Sequence, residues 1–216
     1  NQNYKITGIS FNANSLISNL LENEDKKNNF FFEENTSVDI NIRKVFLDET
    51  YLINNLKGKL FIKNNKVYQT NLKAFYDTTH NIKLNINTND RGEKVTNLFS
   101  SKAAPLVSRY KFVKGFKDSK EGYLDFYSSK KNGVSNSKLI IDNFKVKEIP
   151  ALAKLLALAS LQGIADLLTG EGIRFTDFEM IFRNEDKTMT IEEIYAIGPA
   201  ISILMNGYIV ENNLIS

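Results

Sequence analysis

The chain has no cysteine, one histidine (His80), no tryptophan and three prolines in 216 residues. Without thiols there is no disulfide framework, no thiolate metal site and no cysteine nucleophile. A single imidazole excludes multi-histidine metal centres, and any catalytic triad would need His80 as its base. No G-x-S-x-G, H-E-x-x-H or phosphate-binding glycine loop occurs. The lack of cysteine leaves the compartment open, since thiol-free chains suit oxidising and reducing spaces alike. Charge of one sign is scarce too. The 28 Lys+Arg against 25 Asp+Glu leave +3, too little by itself to call for a polyanionic partner.

Apolar material is present in quantity. Hydrophobic residues make up 42% and aromatics 11%, which supports a real core and argues against disorder. The abundance of Asn and Lys, as in Lys63-Asn64-Asn65-Lys66, fits an AT-rich coding bias and carries no functional weight. The chain starts at Asn1 without Met and ends in a strand-like stretch, so it is expected to be one segment, 1–216, cut from something longer.

The candidates for chemistry are few. His80 lies in Asp77-Thr78-Thr79-His80-Asn81, which reads as a solvent-facing turn histidine. Glu33-Glu34 and Glu192-Glu193 are adjacent pairs, and on a strand the members of each pair would point to opposite faces. Paired acid/base work needs converging carboxylates, which nothing here supplies. The expectation is therefore no enzyme, no catalytic residue, no metal and no cofactor.

Period-two alternation dominates the rest. Val38, Ile40 and Ile42 alternate with Asp39, Asn41 and Arg43. Leu60 and Ile62 alternate with Lys59, Phe61 and Lys63, and Ile82, Leu84 and Ile86 with Lys83, Asn85 and Asn87. Leu124 and Phe126 alternate with Tyr123 and Asp125, and Ile201, Ile203 and Met205 with Ser202, Leu204 and Asn206. Each run describes a strand with one apolar and one polar face. Turn signals separate the runs at Asn64-Asn65, Asn89-Asp90-Arg91-Gly92, Lys131-Asn132-Gly133 and Asn184-Glu185-Asp186. Roughly ten strands with short connections predict a mainly β fold, an antiparallel meander rather than βαβ units.

Helical patterns are rare: a weak one at 15–21, a short one over 103–110, and a clear one over 150–168. The last starts at Pro150 and ends before Gly170, and spans roughly 28 Å at 1.5 Å per residue. It is apolar nearly all round, with Lys154, Gln162 and Asp166 on one stripe. The expectation is a helix packed on or capping the sheet, with an interfacial, lipid-facing helix and then a true membrane span as the alternatives.

Two further stretches invite a binding reading. Residues 109–131 interleave Arg109, Lys111, Lys114 and Lys117 with Tyr110, Phe112 and Phe116. Such a pattern can serve single strands of nucleic acid or anionic headgroups. It reads more simply as a strand pair with a wet lysine face, and no nucleic-acid partner is expected. Phe30-Phe31-Phe32 reads as a strand buried on both faces, with a membrane-contacting tip as the alternative.

The stretch Leu139-Ile140-Ile141-Asp142-Asn143-Phe144-Lys145-Val146 runs into Ile149-Pro150-Ala151-Leu152-Ala153-Lys154-Leu155-Leu156. Then follow Ala159-Ser160-Leu161-Gln162-Gly163-Ile164 and Leu167-Leu168-Thr169-Gly170-Glu171-Gly172-Ile173-Arg174-Phe175. This resembles the C-terminal region of AsmA-like proteins. Ala196-Ile197-Gly198-Pro199 and Asn206-Gly207-Tyr208-Ile209 resemble the family's closing strands. The likeness is strong over 139–216, fair over 101–138 and weak over 1–100. Pro105, where the family more often has a small residue, departs from it.

The resemblance implies a large periplasmic envelope protein of Gram-negative bacteria, anchored in the inner membrane by parts of the parent chain. Its body would be a long twisted β-sheet curved into an apolar groove that conducts phospholipid between inner and outer membranes. A role in outer-membrane assembly through contacts with envelope proteins is the alternative. On that reading the acyl-chain contacts fall on the alternating positions Ile40, Ile42, Leu60, Ile62, Leu84, Ile86, Leu124, Phe126, Leu139, Ile141, Ile201 and Ile203, and the helix over 150–168 plugs or seats the groove.

Overall fold

A computed structural model describes residues 2–15, 35–64, 66–107, 122–146, 173–199, 201–210 and 213–215. The fold is mainly β. Among the described residues there are twelve strands: β1 Gln2–Asn12, β2 Thr36–Phe46, β3 Leu52–Lys63, β4 Lys66–Phe75, β5 Asn81–Thr88, β6 Lys94–Ser100, β7 Leu124–Lys131, β8 Val134–Val146, β9 Ile173–Glu185, β10 Thr188–Ile197, β11 Ser202–Val210 and β12 Asn213–Ile215. The helical turn α1 (Ala104–Val107) is buried at Ala104, Pro105 and Val107. The helix expected over 150–168 lies outside the described residues, as do most of 15–21, Phe30 to Phe32 and residues 108–121.

The chain forms two compact units, 1–98 and 99–216, with the boundary inside β6. In the first, β2, β3, β4 and β5 pair antiparallel in chain order. The all-antiparallel expectation fails at the start, because β1 pairs with β2 in parallel, Gln2 beside Thr36 and Asn12 beside Phe46. Residues 13–35 separate the two strands, long enough for the return crossover that parallel pairing requires. Side-chain alternation is blind to strand direction, so the sequence pattern carries no sign of this. In the second unit β7 to β12 form an antiparallel meander.

The turn chemistry matches the hairpins. Asn132 (φ 52°) and Gly133 (φ 84°) close the β7–β8 hairpin with both central residues in the left-handed region, as a two-residue primed turn demands. Asn64 and Asp186 do the same work at the tips of β3–β4 and β9–β10, with φ of 52° and 53°.

Strict alternation breaks at two matching places. In Ile53-Asn54-Asn55-Leu56 the middle of β3 passes through Asn55 at φ 54°. Ile53 and Leu56, three residues apart, then join one cluster with Ala13, Ile42, Val45, Leu47 and Ala74. In Ile141-Asp142-Asn143-Phe144 the same role falls to Asn143 at φ 48°. Ile141 and Phe144 are both buried there, and Phe144 stacks on Phe175 at 5.5 Å and meets Phe178 edge-on at 5.9 Å. Asn is one of the few residues besides glycine that enters this backbone region cheaply. Full burial of each such side chain stabilises by about 1.5–3 kcal/mol.

A third break is a bulge in β10. Ile191 faces Phe182 and Ile194 faces Met180, with Glu192 and Glu193 between them. Both glutamates are exposed. They do not take opposite faces as simple alternation expects, because the extra residue of a bulge lets two neighbours stay in water.

Candidate functional site: the apolar strand faces

Cross-strand register assembles the alternating residues into rows. In the second unit one row is Leu124, Ile141, Phe178, Ala196 and Ile203, and the next is Phe126, Leu139, Met180, Ile194 and Met205. Each crosses five strands without a polar side chain. The third row, Ser128, Ser137, Phe182, Ile191 and Gly207, turns polar at β7 and β8. There the Ser137 hydroxyl donates to Ser128 Oγ at 2.9 Å. Phe126 and Phe182 stack diagonally between rows at 6.4 Å.

The first unit has its own face. Val38, Leu60, Thr70 and Ile86 form one row, and Ile40, Gly58, Leu72 and Leu84 the next. Tyr4 and Ile6 on β1 extend these rows opposite Val38 and Ile40. Thr70 does not interrupt the face with an orphan hydroxyl, since Oγ1 donates to the Lys59 carbonyl at 2.7 Å. The glycine in the second row is enforced by close approach of the β4 backbone to Cα.

Of the twelve positions expected to contact acyl chains, Ile40, Ile42, Leu60, Ile62, Leu84 and Ile86 lie on β2, β3 and β5 of the first unit. Leu124, Phe126, Leu139, Ile141 and Ile203 lie on β7, β8 and β11 of the second. Ile201 departs from the strand reading: it precedes β11, and its carbonyl accepts from Gly198 N–H at 2.8 Å in the β10–β11 connection. Ile42, Ile62, Leu124 and Ile141 are buried, and the other eight are half-buried.

Sequence reasoning missed the β4 members (Leu72, Ala74) and most of β9 and β10 (Phe178, Met180, Phe182, Ile191, Ile194). Phe178-Glu179-Met180-Ile181-Phe182 does alternate, but Ile181 blurs it. The break at Ile191-Glu192-Glu193-Ile194 hides the next strand.

The one histidine, His80, sits in the β4–β5 connection. Asp77 Oδ1 accepts the backbone N–H groups of Thr79 and His80 at 3.0 and 2.9 Å and lies 2.8 Å from His80 Nδ1. This is an Asx-type turn closing the β4–β5 connection. Among the described residues no cluster of three or more His, Asp or Glu is placed to hold a metal ion, and no helix is long and apolar enough to cross a membrane.

No protein-family model, curated protein or solved structure matches the chain.

Proposed function

We propose that the chain is a segment of an AsmA-like β-groove protein whose apolar strand faces hold phospholipid acyl chains. The observation that carries this reading is the row Phe126, Leu139, Met180, Ile194 and Met205, apolar across five strands. Side chains of similar size offer an acyl chain equivalent contacts along the row, at about 0.8 kcal/mol per buried CH₂. Such a surface holds a lipid by area and not by headgroup, which suits passage along it. The parent chain would sit in the periplasm, anchored in the inner membrane, with the sheet curved into a groove and phospholipid moving between the two membranes.

The test is mass spectrometry of lipid extracted from the purified 216-residue chain after expression in a bacterial periplasm. Near-stoichiometric phospholipid is expected, and Leu139→Asp and Ile203→Asp should lose it while keeping the far-UV spectrum. These half-buried positions suit the test better than Ile141, which is 2% exposed. A folded, lipid-free wild type would overturn the reading.

One observation favours a second reading, an assembly module acting by protein contacts. Every residue of β1 is exposed, and its eleven residues carry one charge, Lys5. Among the described residues β1 pairs on one side only, with β2, and an open strand edge is a template for strand addition. Co-purification of an envelope protein without lipid would support that reading.

A further inference from the structure

The face of the first unit opposite its apolar rows concentrates charge of one sign. Lys57 on β3 stands directly across from Lys73 on β4, and Lys73 directly across from Lys83 on β5. Neighbouring strands are about 4.8 Å apart, so three lysines follow one another over two strand spacings. In the adjacent row Asp39 faces Lys5 on one side and Lys59 on the other. Asp39 is the one acid in these two rows, and it is taken by Lys59 at 3.4 Å. Lys73 finds a ring, with Nζ 4.9 Å from the Phe75 centroid. All five lysines are exposed.

Like charges directly opposite each other on a sheet destabilise it. Solubility is no sufficient reason, since charges of mixed sign keep a face wet without that cost. Nor is protection of a sheet edge, because β3 and β4 have hydrogen-bonded neighbours on both sides. An arrangement that is unfavourable alone and favourable beside an extended anion points to such a partner.

We infer that this face docks on an anionic phospholipid membrane surface. The cations spread in two dimensions, over four strands and two rows, which fits a plane of headgroups and not a linear polyanion. Next to the lysine row is an open depression of about 520 Å³, lined by Ser37, Lys59, Phe61, Gln69 and Asn71 among others. Among the described residues of this face the aromatic rings beside the depression are already engaged. Phe61 and Tyr68 pack edge-to-face at 6.0 Å, and Lys63 covers the Tyr68 ring at 5.3 Å. The inference stands apart from acyl-chain occupancy, since it concerns the other face of the sheet.

Co-sedimentation of the 216-residue chain with vesicles tests it. Binding is expected to phosphatidylcholine vesicles containing phosphatidylglycerol and not to pure phosphatidylcholine, and it should fall as salt rises. The triple variant Lys57→Gln, Lys73→Gln, Lys83→Gln should bind about 100-fold more weakly, since each lysine near such a surface contributes about a factor of five. Its urea midpoint should rise as the repulsion is relieved, which also shows that it folds. A matched triple in the second unit, Lys130→Gln, Lys131→Gln, Lys187→Gln, removes the same three charges and should keep binding. Equal loss in both triples, undiminished binding by the first, or equal affinity for neutral vesicles would overturn the inference. Tighter binding to a single-stranded oligonucleotide than to the anionic vesicles would overturn it in favour of nucleic acid.

Discussion

A Cβ on Gly58 would lie 1.8 Å from the carbonyl oxygen of Asn71 on the adjacent strand. Neither backbone can yield without breaking the β3–β4 ladder, and Gly58 also sits at φ 149°, where side chains are rarely tolerated. The residue thus has two reasons to be glycine, one steric and one torsional.

Gly58→Ala is expected to cost about 3 kcal/mol, combining backbone strain with forced overpacking. Gly92, in the β5–β6 turn at φ 72°, has open space where its Cβ would go. Gly92→Ala should therefore cost only the torsional part, about 1 kcal/mol. Urea midpoints of the two variants separate the contributions. Equal midpoints would mean that the close approach at Gly58 is relieved by a small strand shift.

The Asn55 conformation predicts a different ordering. Asn55 is exposed, and its φ of 54° is what brings Ile53 and Leu56 to one side. Asn55→Gly should change stability by less than about 1 kcal/mol. Asn55→Val, β-branched and ill suited to positive φ, should destabilise by about 1–2 kcal/mol despite its higher strand propensity. Thermal melts of the pair give the sign. A stabilising valine would mean that β3 runs straight, with Ile53 and Leu56 on opposite faces.

These positions also mark where the sequence stopped being legible. Regular runs such as Ile82-Lys83-Leu84-Asn85-Ile86 need nothing but period two, and their inward residues stand out on sight. The turns at Asn132-Gly133 and Asp186 are equally plain, because positive φ has a small vocabulary. The quartets Ile53-Asn54-Asn55-Leu56, Ile141-Asp142-Asn143-Phe144 and Ile191-Glu192-Glu193-Ile194 are different. Each is built as apolar, polar, polar, apolar, which is also a helical spacing, and only the partner strand shows that a left-handed residue or a bulge keeps both ends inside. Strand direction was hidden for another reason: β1 and β2 bear the same alternation whichever way they run. The lysine row escaped notice because Lys57, Lys73 and Lys83 are far apart in the chain, and register alone brings them together.

Register makes one further acidic pair. Asp142 on β8 faces Asp177 on β9 directly, with Glu179 next along β9 already paired to Lys138 at 2.7 Å. Asp177 accepts the Thr176 hydroxyl at 2.8 Å, a neutral donor, and among the described residues no ion pair is formed by either aspartate. Two carboxylates directly opposite on a sheet destabilise it by about 0.2–1 kcal/mol, so Asp142→Asn should raise the urea midpoint by a corresponding amount. Salt screens the repulsion over a Debye length of about 8–10 Å near physiological strength. The wild type should therefore gain more stability from added salt than the variant does, and the two curves should converge. A variant less stable than wild type at every salt concentration would mean that the Asp142 carboxylate holds a stabilising partner instead of a repelled one.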